Sequence, residues 1–307
     1  MVAITVVGSF VVGITIRVPR VPVLGEGLIG DLFDMGPGGK GTNQALAAAR
    51  LGAEVSLIAC VGDDLFAPLA IQLYESEGVS TEHIHRIEGV NTAVGMVTLL
   101  PSGENSIVGH LGANMHLKPA FVDAAEDQIA RSNIVMTQFE VPLETAAMAM
   151  ERGRAHGALT LLNPAPAQPV VDTDQLVNVD LMTPNETEAR LLLGMKPDDP
   201  TPTDDLARLL LDLGVRQVVV TLGAKGALIA TADSLTHVPA PKVDALDVTG
   251  AGDSFNAALA VGLGEGLELH EAVETACYAG AYCATHLGVV DGLPTRDQLD
   301  TFRRSIA

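Results

Sequence analysis

The stretch DVTGAGDSF, residues 247–255, sets Gly250, Ala251 and Gly252 directly before a carboxylate, Asp253. The apolar spacing of the following SFNAALAVGLGEG predicts a buried helix, so the N–H groups of GAGD lie at its N-terminus. Unpaired backbone donors and the positive end of the helix dipole make an anion site, and small residues let a phosphate reach the backbone. An acid among such donors repels the ligand unless it has a separate task. Taking the proton of a hydroxyl that attacks the phosphate is one such task. A plain helix-start acid, favoured by the dipole, is the other reading, and these residues alone leave both open.

A second cluster, GPGGKGTNQALAAARLGA at residues 36–53, opens an alanine-rich helix with glycines around Lys40 and with Asn43 in the first turn. It is not the phosphate loop GxxxxGK[ST], because Lys40 lies among the glycines and Gly41 follows it. VVGSFVVG does not supply GxGxxG after the first strand, which argues against a dinucleotide-dependent oxidoreductase. Close glycines with lysine and amide donors suit a polyol, whose hydroxyls need short-range polar partners. A glycine patch for helix packing is the competing reading.

These loops need a frame. VAITVVG, EVSLIAC, NIVMTQF, ALTLLN, VDLMTPN and RQVVVTLG read as strands, several followed by helices such as TNQALAAARLG and ETEARLLLG. Continuous apolar runs are strands buried on both faces, so a mainly parallel central sheet flanked by helices on both faces is expected. Its ligands belong at the carboxyl ends of the strands. Residues of about 10–35 and 91–110 break this rhythm and read as strand pairs of a small β-sheet lid, with PSGE as a hairpin turn. The Pro-rich NPAPAQP reads as a loop, and residues 1–307 as a single domain.

Lys and Arg total 18 against 38 Asp and Glu, and this formal charge of -20 argues against a nucleic-acid binder, which needs a basic face. Cys60, Cys277 and Cys283 have no CxxC spacing, so neither a disulfide framework nor a zinc site is indicated. The apolar N-terminus lacks a basic region and cleavage site, and no run is long enough for a membrane span. No membrane association and a cytoplasmic setting are the expectations.

GGKGTNQALAAARLGAEVSLIACVGDD and DVTGAGDSFNAALA resemble the two signature regions of the ribokinase-like, phosphofructokinase-B family of sugar kinases. GANMHLKP, QFEVPLE, NPAPA, TPNETEA and TLGAKG stand between them in the family's order, so the likeness runs over nearly the whole chain. It implies an α/β ribokinase-like fold with a β lid, and ATP-dependent phosphorylation of a sugar's primary hydroxyl. By resemblance, Asp253 is the catalytic base, Gly250, Ala251 and Gly252 form the anion hole, and Gly39, Lys40, Gly41, Asn43 and Glu140 contact the sugar. Asn185 and Glu188 match the NxxE element that organises magnesium and its waters. The bland reading of TPNETEA is helix capping, and both can hold at once. Asn185, Thr221, Gly223, Lys225, Gly226, Gly252 and Cys277 match positions near ATP, although TLGAKG alone reads as a tight turn between strands. Asp247, Thr249, Cys283, His286, Gly288 and Gly292 match a potassium site built mostly from carbonyls. The family's lids often pair between chains into a homodimer.

One departure bears on the substrate. Where ribokinases read GSxNxD, this chain reads GSFVVG, with Val11 and Gly13 at the Asn and Asp positions. The usual GET likewise reads GEG. Ribose is therefore only the nominal substrate, and a deoxy or otherwise altered sugar fits the more apolar wall. The rivals are a nucleoside kinase on the same scaffold and a sugar- or nucleotide-binding regulator without turnover. The intact GAGD argues against the regulator.

Overall fold

The computed structural model describes residues 1–102, 104–167 and 173–306. The expected PSGE turn and the end of NPAPAQP therefore lie partly outside the described residues. In chain order the strands are β1 (Ala3–Val7), β2 (Val11–Arg17), β3 (Leu32–Gly38), β4 (Glu54–Gly62), β5 (Ile84–Ile87), β6 (Ala93–Leu99) and β7 (Asn105–His110). They continue as β8 (Ile134–Gln138), β9 (Leu159–Asn163), β10 (Leu181–Met182), β11 (Gln217–Thr221), β12 (Ala227–Ala230) and β13 (Leu235–Val238).

A nine-stranded sheet has the order β13-β12-β11-β10-β9-β8-β1-β4-β5. Its pairs are parallel from β5 to β11, and only β12 and β13 add antiparallel strands at one edge. Neighbouring residues of one strand enter opposite cores, which is why the strands read as unbroken apolar runs. Leu57 and Met136 join the core that holds Leu46 and Leu259, from helices Lys40–Arg50 and Ala251–Gly264. Ile58 and Val135 join the other, with Ala149 and Met150 from helix Leu143–Ala155. The expected β/helix alternation and two-faced burial are both present. No helix among the described residues is long and apolar enough to cross a membrane.

The lid is a separate four-stranded sheet of order β3-β2-β6-β7, assembled from the two stretches that broke the sequence rhythm. Its register lines up Gly36, Gly13, Gly95 and Gly109, one from each strand. A Cβ added at Gly36 would meet nothing within 4 Å, and at Gly13, Gly95 and Gly109 the nearest atoms stand at 3.6, 3.7 and 3.9 Å. One row of the lid is thus bare of side chains, with room for a Cβ at each of its four positions. The adjacent row, Met35, Ile14, Met96 and Val108, points to the opposite face, where Met96 is 56% and Val108 72% exposed.

Candidate active site

Parallel strands bring their carboxyl ends to one edge, and each end supplies a polar residue there. Gly8 and Ser9 follow β1, Gln138 ends β8, Asn163 ends β9, Thr183 follows β10 and Thr221 ends β11. Helices Lys40–Arg50 and Ala251–Gly264 start over the same edge. The second begins at Ala251, after Gly250 as N-cap at φ 82. A side chain on Gly250 would be strained there and its Cβ would lie 2.8 Å from Val289. Asp253 thus sits in the first helical turn, only 6% exposed.

Both oxygens of that carboxylate are held by the other helix. Asn43 Nδ2 donates to Asp253 Oδ2 at 2.8 Å and Gln44 Nε2 to Asp253 Oδ1 at 3.0 Å. Asn43 Oδ1 is buried without a partner among the described residues, an acceptor free for a ligand's hydroxyl. The helix reaches this position because Gly41 packs directly on Gly8 and Ser9, where any Cβ would collide with their backbone. Thr42 N and Oγ1 then donate to Ser9 O at 2.9 and 2.8 Å. Packing thus accounts for Gly41, which is buried with its N–H directed to Ser9 Oγ at 3.2 Å.

Glu140 joins the two glycine segments. Its Oε2 accepts from Ser9 Oγ at 2.5 Å and from Lys40 N at 2.7 Å. Burial raises the Glu140 pKa above the ordinary carboxylate value despite those donors and the Lys40 charge. Burial acts oppositely on the half-buried Lys40, but the combined charge of Asp253, Glu140 and Glu188 outweighs it and holds the ammonium above its usual pKa. Lys40 is therefore a permanent cation among three carboxylates. Gly39 is its N-cap residue.

On the nucleotide-matching side, Asn185 caps helix Glu186–Leu192 through a reciprocal capping box, both bonds at 2.8 Å. This occupies one Glu188 oxygen. Burial raises the Glu188 pKa, with Lys40 opposing and Asp253 adding to the shift. Asn185 bridges Thr221, whose N–H donates to Pro184 O at 2.9 Å, so TPNETEA and TLGAKG are adjacent. Gly223 and Lys225 bound a short 3-10 turn exposed at the surface, and Gly226 closes it before β12, so this loop is also the tight turn its sequence suggested. Cys277 is a buried core residue of helix Leu269–Ala284, its thiol pushed up to about 12 by burial.

The six positions matched to a monovalent cation lie around one loop. Asp247 accepts from Thr249 N at 2.9 Å and from Gly288 N at 3.3 Å, and Cys283 Sγ contacts Thr249 O at 3.6 Å. A Cβ on Gly292 would stand 3.2 Å from Cys283, and His286 N donates to Cys283 O at 3.0 Å. Burial, with Asp253 and Asp247 adding, pushes the Cys283 thiol to about 12, so it is a neutral donor. No group of three or more His, Cys, Asp or Glu that could hold a metal ion exists among the described residues.

Ser9, Gln44, Asn163, Thr183 and Asn256 belong to this edge but were not singled out as site residues from sequence. The readable signal is Gln44, a long amide in a run of buried alanines; the other four become neighbours only through strand order.

A buried carboxylate clamped by two amides at a glycine-rich helix start, with a lysine close enough to interact with it, is an arrangement suited to phosphoryl transfer to a hydroxylated substrate. Residues 3–296 match the model of the pfkB family carbohydrate kinases. A deoxyribokinase from Salmonella typhi is 36% identical over 299 residues, covering 97% of this chain and 98% of that protein. A ribokinase from Haemophilus influenzae is 37% identical over 295 residues, 96% of each. The structure of Arabidopsis thaliana ribokinase with ribose and ATP superposes with a TM-score of 0.90 at 27% identity, covering 98% of this chain and 99% of that one. The chain belongs to the pfkB family of carbohydrate kinases and is an ATP-dependent sugar kinase of ribokinase fold.

Proposed function

We propose that this enzyme transfers the γ-phosphoryl group of ATP to the primary hydroxyl of a furanose-type sugar, with Asp253 as base. The supporting observation is the pair of amide donors at 2.8 and 3.0 Å that turn the buried Asp253 carboxylate toward the cleft. The hydroxyl oxygen bonds to the γ-phosphorus as the bond to the β-phosphate oxygen breaks; the proton passes to Asp253 and ADP leaves. A carboxylate is a weak base, but a loose transition state asks for little proton removal early. The N–H groups of Gly250 and Gly252 receive the phosphoryl oxygens, with Ala251 between them, whose N–H donates to Val248 O at 3.2 Å and would have to turn from it to join them, and Glu140, Lys40, Gly39 and Asn43 hold the sugar. Asn185 and Glu188 would hold magnesium through water, and the ion would neutralise phosphate charge. Thr221, Gly223, Lys225, Gly226 and Cys277 flank ATP. ADP formation over a panel of pentoses and nucleosides tests this reading: turnover with nucleosides alone would shift it to a nucleoside kinase, and turnover with none would favour a binding regulator.

The bare lid row bears on which sugar. With Val11 and Gly13 in place of Asn and Asp, a sugar hydroxyl on that edge has no side-chain partner, a loss of ~1–3 kcal/mol if buried unpaired. The expected result is that 2-deoxyribose, or a sugar bulkier on that edge, matches or exceeds ribose in kcat/KM. Restoring both with Val11→Asn and Gly13→Asp should raise the ribose ratio about tenfold or more. Strong wild-type preference for ribose with no gain in the double variant would show other residues holding those hydroxyls.

A potassium-sized ion held by Asp247 and the carbonyls of Thr249, Cys283, His286, Gly288 and Gly292 would order the loop that leads into the anion hole. Activity at constant ionic strength should rise when sodium is exchanged for potassium, and a flat response removes the site. The exposed apolar face of the lid around Met96 and Val108 supports a homodimer through paired lids. Sedimentation as a monomer at micromolar concentration would refute it. ATP use and unpaired buried thiols fit a cytoplasmic setting.

A further inference from the structure

Beneath Asp253 a chain of side-chain hydrogen bonds crosses the ends of the central strands, and the backbone sets its direction. Asn163 Nδ2 donates to the Thr183 carbonyl at 3.0 Å. A carbonyl only accepts, so Asn163 must turn Oδ1 the other way, where Gln44 Nε2 meets it at 3.1 Å. That orientation also aims Gln44 Nε2 at Asp253 Oδ1 at 3.0 Å. Gln44 Oε1 faces away and accepts from Gln138 Nε2 at 2.5 Å. On the far side Thr183 Oγ1 donates to Asn256 Oδ1 at 2.5 Å, and Asn256 Nδ2 ends on the Gly252 carbonyl at 2.8 Å. Gln44 and Gln138 are fully buried, so no water replaces a misdirected amide.

We infer that Gln44 is a positioning residue for phosphoryl transfer, its N–H aimed at Asp253 Oδ1 by this one-way chain so that Oδ2 faces the sugar hydroxyl. The inference rests on the kinase reading above. A reversed Gln44 amide would set its oxygen against the carboxylate and leave Asn163 Oδ1 without a donor. Asn43 differs: its direction is set by Asp253 Oδ2 alone, and its Oδ1 has no partner among the described residues and remains available to the sugar. Gln138 touches Asp253 only through Gln44; its Oε1 has no partner among the described residues, so it supports the Gln44 amide as a donor, while Asn163 and Asp253 set that amide's direction.

The test uses Gln44→Met and Gln138→Met, singly and together, assayed with ATP and whichever of D-ribose or 2-deoxy-D-ribose the wild type phosphorylates faster. Gln44→Met keeps the volume and loses the donor. It is expected to lower kcat about 10- to 100-fold with the sugar KM within about threefold. Gln138→Met should lower kcat about three- to tenfold, and the double variant should be no worse than Gln44→Met, since both act through one contact. Unchanged kcat in a folded Gln44→Met protein overturns the inference, as does additivity in the double variant. If Gln44→Met does not fold, Gln138→Met decides: a kcat loss with the sugar KM within about threefold supports the inference, and a lowered Tm with unchanged kcat overturns it. A wild type that forms ADP with no sugar or nucleoside overturns the kinase reading and this inference together, whereas a competent wild type matched by Gln44→Met overturns the inference alone.

Discussion

Asp253→Asn is expected to lower kcat by about three orders of magnitude while ATP still binds, because general-base catalysis is worth roughly 10²–10⁴ and the backbone anion hole is untouched. The geometry says why the fold should survive. Gln44 cannot turn, so the amide introduced at this position must direct its oxygen to the Gln44 N–H. Its NH₂ group then faces Asn43, whose Oδ1 has no partner among the described residues, and that side chain can flip to accept from it. The substitution is therefore accommodated by one amide rotation. Calorimetric ATP affinity and the melting temperature should stay near wild type while ADP formation collapses. Near-normal turnover would make Asp253 a helix-start acid and nothing more.

The second large effect is at Lys40. Lys40→Met leaves Asp253, Glu140 and Glu188 without the cation that opposes their mutual repulsion, and removing one partner of a buried ionic group costs about 3–5 kcal/mol. Even with half-burial discounting that figure, kcat/KM should fall about 100-fold. The pH dependence carries the sign. Glu140 and Glu188 are already raised by burial, and Lys40 holds both down. Without it both rise further, so Glu140 takes a proton at higher pH and sugar binding weakens sooner on acidification. A folded-state carboxyl pKa above its unfolded value means that stability falls as pH rises through it. The Tm deficit of Lys40→Met should thus be small at acid pH and widen toward neutral. A deficit independent of pH, with kcat/KM intact, would show that Lys40 does not act electrostatically on this site.

Several parts of the active edge were legible because they depend on local chemistry. GAGD marks a glycine-rich helix start through small residues before a helix-spaced apolar run, and TPNETEA carries its capping box in the order of its letters. The lid was legible as an interruption, since strand-like pairs without intervening helices cannot extend a parallel sheet. The purpose of each glycine was not. Gly41 and Lys40 are neighbours in one motif, yet Gly41 packs against Ser9 whereas Lys40 stands among the acids. TLGAKG likewise proved to be a tight turn between β11 and β12 while lying beside Asn185.

By itself the sequence determined where strands and helices form, which helix start is stripped of side chains, and that two polar segments of a kinase family are present. Those outcomes follow from backbone preferences and hydrophobic periodicity within a dozen residues or so. Only the tertiary structure decided that Gln44 would meet Asp253, 209 positions away, and that Thr183 would meet Asn256, 73 away. It also decided that one glycine from each lid strand would share a row. Such meetings depend on strand order and register, because a shift of one residue would turn each strand's polar end residue to the other face and break the chain that aims the base.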